Sequence, residues 1–98
     1  MKRNKTIVKE INAMFPPANT EHPVCFERDN MVIVSGECYA IFTFNTEDGI
    51  ETFEGAVIDY YGEFTGGYPT VDSKLEEYVK KMGRYWEWEN PACVCLAS

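Results

Sequence analysis

Apolar residues near the start of the chain recur at the spacing of an amphipathic helix, with charged and polar residues between them. Two consecutive prolines follow, and proline cannot continue a helix because it lacks an N–H and restricts the residue before it. The pattern therefore predicts a helix over residues 6–15. Its apolar face would carry Ile7, Val8, Ile11, Met14 and Phe15.

The middle of the chain consists of short β-rich runs separated by turn residues, which predicts a hairpin that continues as an antiparallel meander. The third run alternates along its length, as a half-buried strand does. In the fourth run Gly55 is expected to bend or bulge the strand, because the apolar pattern changes at this residue. The four predicted strands cover residues 24–28, 31–35, 38–45 and 50–61.

The last third of the chain predicts a second helix and a further strand. Asp72 or Ser73 can cap a helix over residues 74–82, and Gly83 stands where helices commonly end. An apolar run over residues 92–97 predicts the last strand. The order α-β-β-β-β-α-β indicates an α+β fold, with an antiparallel sheet of about five strands and two helices packed on one face.

The length of 98 residues suits one domain, so we expect residues 1–98 to share one core, with residues 1–5 as a flexible basic arm. No stretch approaches the roughly 18 apolar residues of a membrane-spanning helix. The N-terminus has no apolar run of signal-peptide length. These observations predict a soluble cytoplasmic protein without a membrane partner.

The net charge of −7 is unevenly distributed. Residues 10–73 contain twelve acids and one base, Arg28, which leaves that segment at −11. Nucleic-acid binding depends on neutralising phosphates with lysine and arginine, so direct binding of DNA or RNA is disfavoured. The same charge would attract basic proteins.

Four cysteines, Cys25, Cys38, Cys93 and Cys95, could form two disulfides in an exported protein. An extended Cys-x-Cys pair, however, holds its sulfurs roughly 7 Å apart, which suits neither a disulfide nor one zinc ion. We expect these thiols to be small buried apolar groups, with no cofactor. The alternative is a zinc site that uses all four.

The densest cluster of candidate functional residues leaves the fourth predicted strand and crosses a glycine-rich loop at residues 59–68. Carboxylates beside tyrosines can perform acid–base chemistry, and tyrosines also offer a large contact area for protein recognition. No nucleophile–base set and no glycine-rich phosphate motif accompanies them. The candidate binding residues here are Asp59, Tyr60, Tyr61, Glu63 and Tyr68.

Trp86 and Trp88 share one side of an extended segment. Such tryptophans most often belong to the core, and we expect that here. The alternative is an exposed aromatic strip that binds a partner or a second copy of the chain, which is favoured if this strand lies at a sheet edge.

We expect a noncatalytic protein-interaction module whose surface is formed by residues 60–68 and the acidic fourth-strand hairpin, which carries Glu47, Asp48, Glu51 and Glu54. A narrower form of this hypothesis is nucleic-acid mimicry, in which spaced carboxylates occupy a basic groove. One alternative is a small enzyme or ligand-binding domain with Asp59, Tyr61 and Glu63 at its site. Another is a structural homodimer through the last strand and Trp86 or Trp88.

Overall fold

The structure is a computed structural model that describes residues 2–59 and 70–97. Helix α1 spans Asn4–Met14 and helix α2 spans Ser73–Lys80. The strands in chain order are β1 (Cys25–Arg28), β2 (Met31–Ser35), β3 (Ala40–Thr46), β4 (Gly49–Gly55), β5 (Ile58–Asp59), β6 (Thr70–Val71), β7 (Tyr85–Asn90) and β8 (Cys93–Ala97). No helix in the described ranges is long and apolar enough to cross a membrane.

Helix α1 begins two residues earlier than the sequence pattern predicts. The residue before it, Arg3, is extended, and the helix ends before the prolines as expected. Ile7 and Ile11 are completely buried and Phe15 is nearly so, whereas Met14 is exposed, so the apolar face is narrower than predicted. The arm predicted over residues 1–5 therefore overlaps the first turn of α1, and its flexibility stays a prediction.

The main sheet has four antiparallel strands in the order β1-β2-β8-β7. The β1–β2 hairpin matches the prediction from sequence. Asp29 and Asn30 join its strands with φ of 52° and 65°, the left-handed conformation that a tight hairpin turn needs at both central residues. Asparagine and aspartate tolerate this conformation better than most residues.

The meander expected after β2 is wrong, because β3 leaves the main sheet and β8 pairs with β2 instead. Both faces of the main sheet carry buried apolar side chains, so apolar residues on both faces of a strand favour a central position here. Strand β8 has this composition, with Cys93 to Leu96 all buried, whereas β3 alternates with the polar Thr43 and Asn45. Strands β3 and β4 form a separate two-stranded ladder, and β5 pairs with β6 in another.

Gly55 ends β4 rather than bending one long strand. The chain then resumes as the short β5, in which Ile58 pairs with Val71 of β6. The apolar pattern after Gly55 predicts that residues 56–58 are buried; Val57 and Ile58 are buried, but Ala56 is exposed. The predicted fourth strand is therefore two strands in two different ladders.

Both helices cover the same face of the main sheet and share one core. The Asp72 side chain caps α2 by accepting a hydrogen bond from the Lys74 N–H at 2.9 Å, as the sequence predicts. The fold is the expected α+β class with antiparallel strands. The buried side chains that fill the space between helices and sheet include Ile7, Ile11, Val32, Val34, Leu75, Val79, Val94 and Leu96.

The opposite face of the main sheet carries a smaller apolar cluster. The Arg28 guanidinium on β1 lies 2.9 Å from the Glu89 carboxylate on β7, and β2 and β8 lie between these two edge strands. This ion pair therefore crosses the face. The apolar cluster consists of Ile33, Cys93 and Cys95, with Phe26 packed beside it.

Candidate functional site

The β3–β4 hairpin presents large apolar side chains to solvent. Ile50 is 73% exposed, Phe53 52% and Phe44 44%, although residues of these types are usually buried. They share the hairpin with Glu51 and Glu54, which are also exposed. We call Phe44, Ile50, Glu51, Phe53 and Glu54 the hairpin surface.

A series of phenylalanine rings connects this hairpin to the core. Phe15 at the end of α1 contacts Phe42 edge to face, with ring centroids 6.1 Å apart. Phe42 stacks on Phe53 at 5.2 Å, and Phe53 contacts Phe44 at 5.8 Å. Aromatic pairs in these geometries add about 0.5–1.5 kcal/mol each beyond their buried area. The rings hold the hairpin in place without covering its outer part.

The turn and the second strand of the hairpin are acidic. Glu47 and Asp48 form its turn, Glu51 and Glu54 lie on β4, and residues 40–59 contain no lysine, arginine or histidine. Because Glu51 and Glu54 are three residues apart on one strand, their side chains point to opposite faces. Each face therefore combines exposed apolar groups with negative charge.

The two outer edges of the hairpin differ. At the β3 edge, the Ile41 N–H donates to the Pro16 carbonyl at 2.7 Å, and the Tyr39 carbonyl accepts from the Ala18 N–H at 2.9 Å. At the β4 edge, no strand within residues 2–59 or 70–97 pairs with the backbone. Among the described residues, β4 is thus an open edge seven residues long.

Of the binding residues predicted around the glycine-rich loop, the structure places Asp59. It lies in β5, is half-buried and pairs with Thr70. It also lines a cavity of about 330 Å³ between the base of the hairpin and β6, together with Phe42 and Phe53. Four predicted residues, Tyr60, Tyr61, Glu63 and Tyr68, lie outside the described residues.

Trp86 and Trp88 lie on the helix-covered face of the edge strand β7 and pack against the core. The Trp86 Nε1–H donates to the Leu75 carbonyl of α2 at 3.1 Å. Both tryptophans are half-buried, which fits the structural role expected for them. A homodimer through these side chains stays a prediction. The last strand, β8, lies between β2 and β7 rather than at the edge of the main sheet.

The four thiols are free and do not converge. Cys25 faces the helices, whereas Cys93 and Cys95 lie on the opposite face of the sheet and Cys38 lies in a connection. In the part of the chain that is described, no three histidine, cysteine or acidic side chains form a group that could hold a metal. The zinc alternative therefore gains no support from the placement of these thiols.

Burial makes three of these thiols poor nucleophiles, because the thiolate is the reactive form. Burial raises the pKa of Cys25 to about 12. Burial also raises the pKa of Cys93, and the hydrogen bond from its thiol to Glu89 raises it further. The pKa of Cys95 is raised by burial and then by the negative charge of Glu87.

His22 and Cys38 line a separate cavity of about 410 Å³. The described residues show no hydrogen bond between these two side chains, so the pair lacks the contact that activates a nucleophile.

A broad groove of about 1060 Å³ gathers positive charge between the start of α1 and the chain that follows α2. Lys2, Arg3, Lys5 and Arg84 line it, beside the acidic Glu27. The Arg84 Nε is buried and has no hydrogen-bond partner among the described residues. The sequence shows the N-terminal bases, but the addition of Arg84 depends on the tertiary fold.

The sequence also indicates an acidic hairpin but not its exposed aromatic side chains. Phe44 and Phe53 fit a half-buried strand, so their exposure is unexpected. One signal is present in the sequence: both alternate sets of β3 and β4 contain apolar residues, including Ile41 beside Phe42. A two-stranded ladder cannot bury both faces of such strands.

Comparison with known protein families, curated proteins and solved structures found no match to this chain. Function is therefore inferred from the contacts, exposure and charge of the described residues.

Proposed function

We propose that this protein is a noncatalytic interaction module that binds a partner protein through the hairpin surface. The observation that carries this proposal is the exposure of Phe44, Ile50 and Phe53 on a hairpin that projects from the core. Phe44 and Phe53 lie on one face of the β3–β4 ladder and Ile50 lies on the other. Exposed apolar side chains with polar residues around them are typical of protein interaction sites. The tyrosines expected from the sequence to bind a partner, Tyr60, Tyr61 and Tyr68, lie outside the described residues, and their part in binding stays a prediction.

Charge supports a basic partner. Four acids and no base on the hairpin would accelerate association with a positively charged surface and disfavour an acidic one. Nucleic-acid mimicry, the narrower form of this hypothesis, requires carboxylates spaced along one surface. Glu51 and Glu54 point to opposite faces of β4, so recognition of a basic protein segment fits the geometry better.

The described thiols support a reducing location. All four cysteines are free, and proteins of oxidising compartments commonly pair their cysteines. We therefore place the proposed interaction in the cytoplasm.

Affinity purification from the native source, followed by reconstitution with the purified partner, tests this function. We expect a stoichiometric partner whose affinity falls about tenfold or more with Ile50→Ser. The matched control is Met31→Ser, because Met31 is an exposed apolar residue on β2, away from the hairpin. A chain that remains monomeric in light scattering and recovers no stoichiometric partner would contradict the proposal.

A second candidate function is ligand binding in the 330 Å³ cavity beside Asp59. Its apolar wall includes Phe42 and Phe53, and Asp59 and Asp72 add carboxylates, a composition that suits a small apolar amine. Titration with 2-phenylethylamine should shift the methyl resonances of Val57, with a smaller effect in Asp59→Asn. Equal shifts with phenylacetate, which has the opposite charge, would contradict this function.

A further inference from the structure

The register of the hairpin determines which backbone groups of β4 face outward. Ile41 is paired with Glu54, and its N–H points away from β4, because it donates to Pro16. In an antiparallel ladder such outward-facing pairs alternate with pairs that are hydrogen-bonded to each other. The register continues without a shift to the turn. The N–H and C=O groups of Ile50, Thr52 and Glu54 therefore face the open edge.

An open edge of this kind is a template for a further strand. Natural edge strands are usually protected by proline, lysine, a bulge or a covering element. Strand β4 has no proline, no lysine and no shift of register, and no strand of the described ranges covers it. Its two charged side chains, Glu51 and Glu54, are acidic. They would repel an acidic strand from the edge but would not repel a basic one.

We infer that the partner adds an extended, basic segment to the open edge of β4, a specific form of binding that rests on the function proposed above. The backbone of the added strand bonds to Ile50, Thr52 and Glu54, which supplies affinity without regard to sequence. Side chains opposite Glu51 and Glu54 are lysine or arginine, and those opposite Ile50 and Phe53 are apolar.

This arrangement predicts a sequence for the segment. Read antiparallel to β4, from the position opposite Glu54 to that opposite Ile50, the order is basic, apolar, neutral, basic, apolar. Lysine, valine and threonine satisfy this order. Valine and threonine also have a high tendency to form strands. The core Lys-Val-Thr-Lys-Val is therefore a suitable probe.

A second copy of this chain is a poorer occupant of the same edge. Each chain has a net charge of −7, and pairing two β4 strands would bring eight hairpin acids together without a base. Repulsion of this kind is screened by salt, whereas attraction between an acidic edge and a basic segment is weakened by salt. The salt dependence of binding thus separates the two occupants.

The test is a titration of the ¹⁵N-labelled full chain with a blocked peptide that contains Lys-Val-Thr-Lys-Val, up to about 2 mM, a range that detects millimolar affinity. We expect saturable shifts of the Ile50, Thr52 and Glu54 amides that shrink as salt rises. Replacing both lysines with glutamate, or methylating alternate peptide nitrogens, should weaken binding about tenfold or more.

Thr52→Pro and Thr43→Pro form a matched pair of protein variants. Thr43 and Thr52 face each other across the hairpin, and each has an outward N–H, so proline removes no hydrogen bond within the hairpin. Thr52→Pro should abolish the peptide shifts because it blocks the β4 edge. Thr43→Pro should leave affinity within about twofold because it alters only the β3 edge.

Three results would overturn strand addition: no shifts at the β4 amides, equal binding of the N-methylated peptide, or a dimer through β4 that strengthens with salt. If Thr52→Pro disorders the hairpin spectrum, the N-methylated peptide decides, because it leaves the protein unchanged. A native partner that depends on Ile50 but tolerates a well-folded Thr52→Pro also overturns strand addition and leaves the proposed function standing. Recovery of no partner, together with no peptide shifts, overturns both.

Discussion

At the scale of single residues, Asn12 joins helix α1 to the outer edge of the main sheet. Its Nδ2 donates to the Cys25 carbonyl at 2.9 Å, and its Oδ1 accepts from the Cys25 N–H at 3.0 Å. Cys25 is completely buried at the start of the edge strand β1. The side chain therefore satisfies two backbone groups that a neighbouring strand would otherwise bond.

We predict that Asn12→Ala lowers the free energy of unfolding by about 2–3 kcal/mol, because it leaves a buried donor and a buried acceptor without partners. Urea denaturation measures this change. Asn45→Ala is the control, since Asn45 is exposed on β3 and should change stability by less than about 0.5 kcal/mol. Equal effects of the two substitutions on the free energy of unfolding would show that the Asn12 hydrogen bonds do not contribute to stability.

A second residue-scale contact connects the two helices. The Glu10 carboxylate of α1 accepts hydrogen bonds from the Lys2 ammonium, at 2.7 Å, and from the Tyr78 hydroxyl of α2. Lys2 and then Tyr78 lower the pKa of Glu10 from its usual 4.5. Burial, and then the bond to Glu10, raises the pKa of Tyr78 above its usual 10. Folding therefore favours ionised Glu10 and neutral Tyr78.

The pH dependence of stability follows from these directions. The lowered pKa of Glu10 gives stability that is present above about pH 4.5 and lost as the pH falls below it. The raised pKa of Tyr78 gives stability that is present below about pH 10 and lost as the pH rises above it. Tyr78→Phe should reduce the change of melting temperature with pH on both the acid and the alkaline side. Tyr85→Phe should not, because Tyr85 is 55% exposed. Unchanged slopes in Tyr78→Phe would contradict this account.

At the scale of elements, the hairpin is attached to the core mainly at its base. Ala40 is buried and Phe42 packs on the core, but the residues beyond them are largely exposed. Strands with few buried contacts open locally at lower free energy than central strands. The β3–β4 ladder should therefore open independently of β2 and β8.

Amide hydrogen exchange tests this independence. We predict that Phe42→Ala lowers the opening free energy of β3 and β4 by about 1–2 kcal/mol, so their amides exchange about 5 to 30 times faster. Phe42 stacks on Phe53 and contacts Phe15, and both contacts are lost in this variant. Amides of β2 and β8 should change less. Equal acceleration throughout the chain would show that the hairpin opens only with global unfolding.

Elements governed by local chemistry are predictable from this sequence. The Asp29-Asn30 turn and the Asp72 cap depend on residues adjacent in the chain, and both occur as expected. Which strands pair with each other in the sheet depends on competition between segments that are distant in the chain. Strand β8 takes the place beside β2 because it is apolar on both faces, and this comparison with β3 requires the whole fold.

At the scale of the whole molecule, the surface proposed for binding is only partly predictable from the sequence, for the same reason. The acids of the hairpin are apparent in the composition, but the exposure of Phe44 and Phe53 follows from the failure of β3 to join the main sheet. Charge also separates within the fold. The hairpin carries acids only, whereas Lys2, Arg3, Lys5 and Arg84 line one groove.

This separation gives a prediction for nucleic acids. We expect no binding of a duplex of about 20 base pairs at about 150 mM salt and micromolar protein, because the net charge opposes phosphate contacts. Any binding at low salt should depend on the cationic groove and weaken with Arg3→Ala. Fluorescence anisotropy with labelled DNA measures both. Micromolar affinity at 150 mM salt would contradict the prediction.

The attachment of the hairpin through Ala40 and Phe42 has a consequence for how this protein can diversify. Residues 43–54 contribute no side chain to the buried core, so substitutions there leave the remaining fold largely unaltered. The residues proposed to bind the partner are therefore distinct from those that form the buried core. A hairpin with another sequence, grafted between Phe42 and Gly55, should redirect binding while the α+β scaffold stays intact.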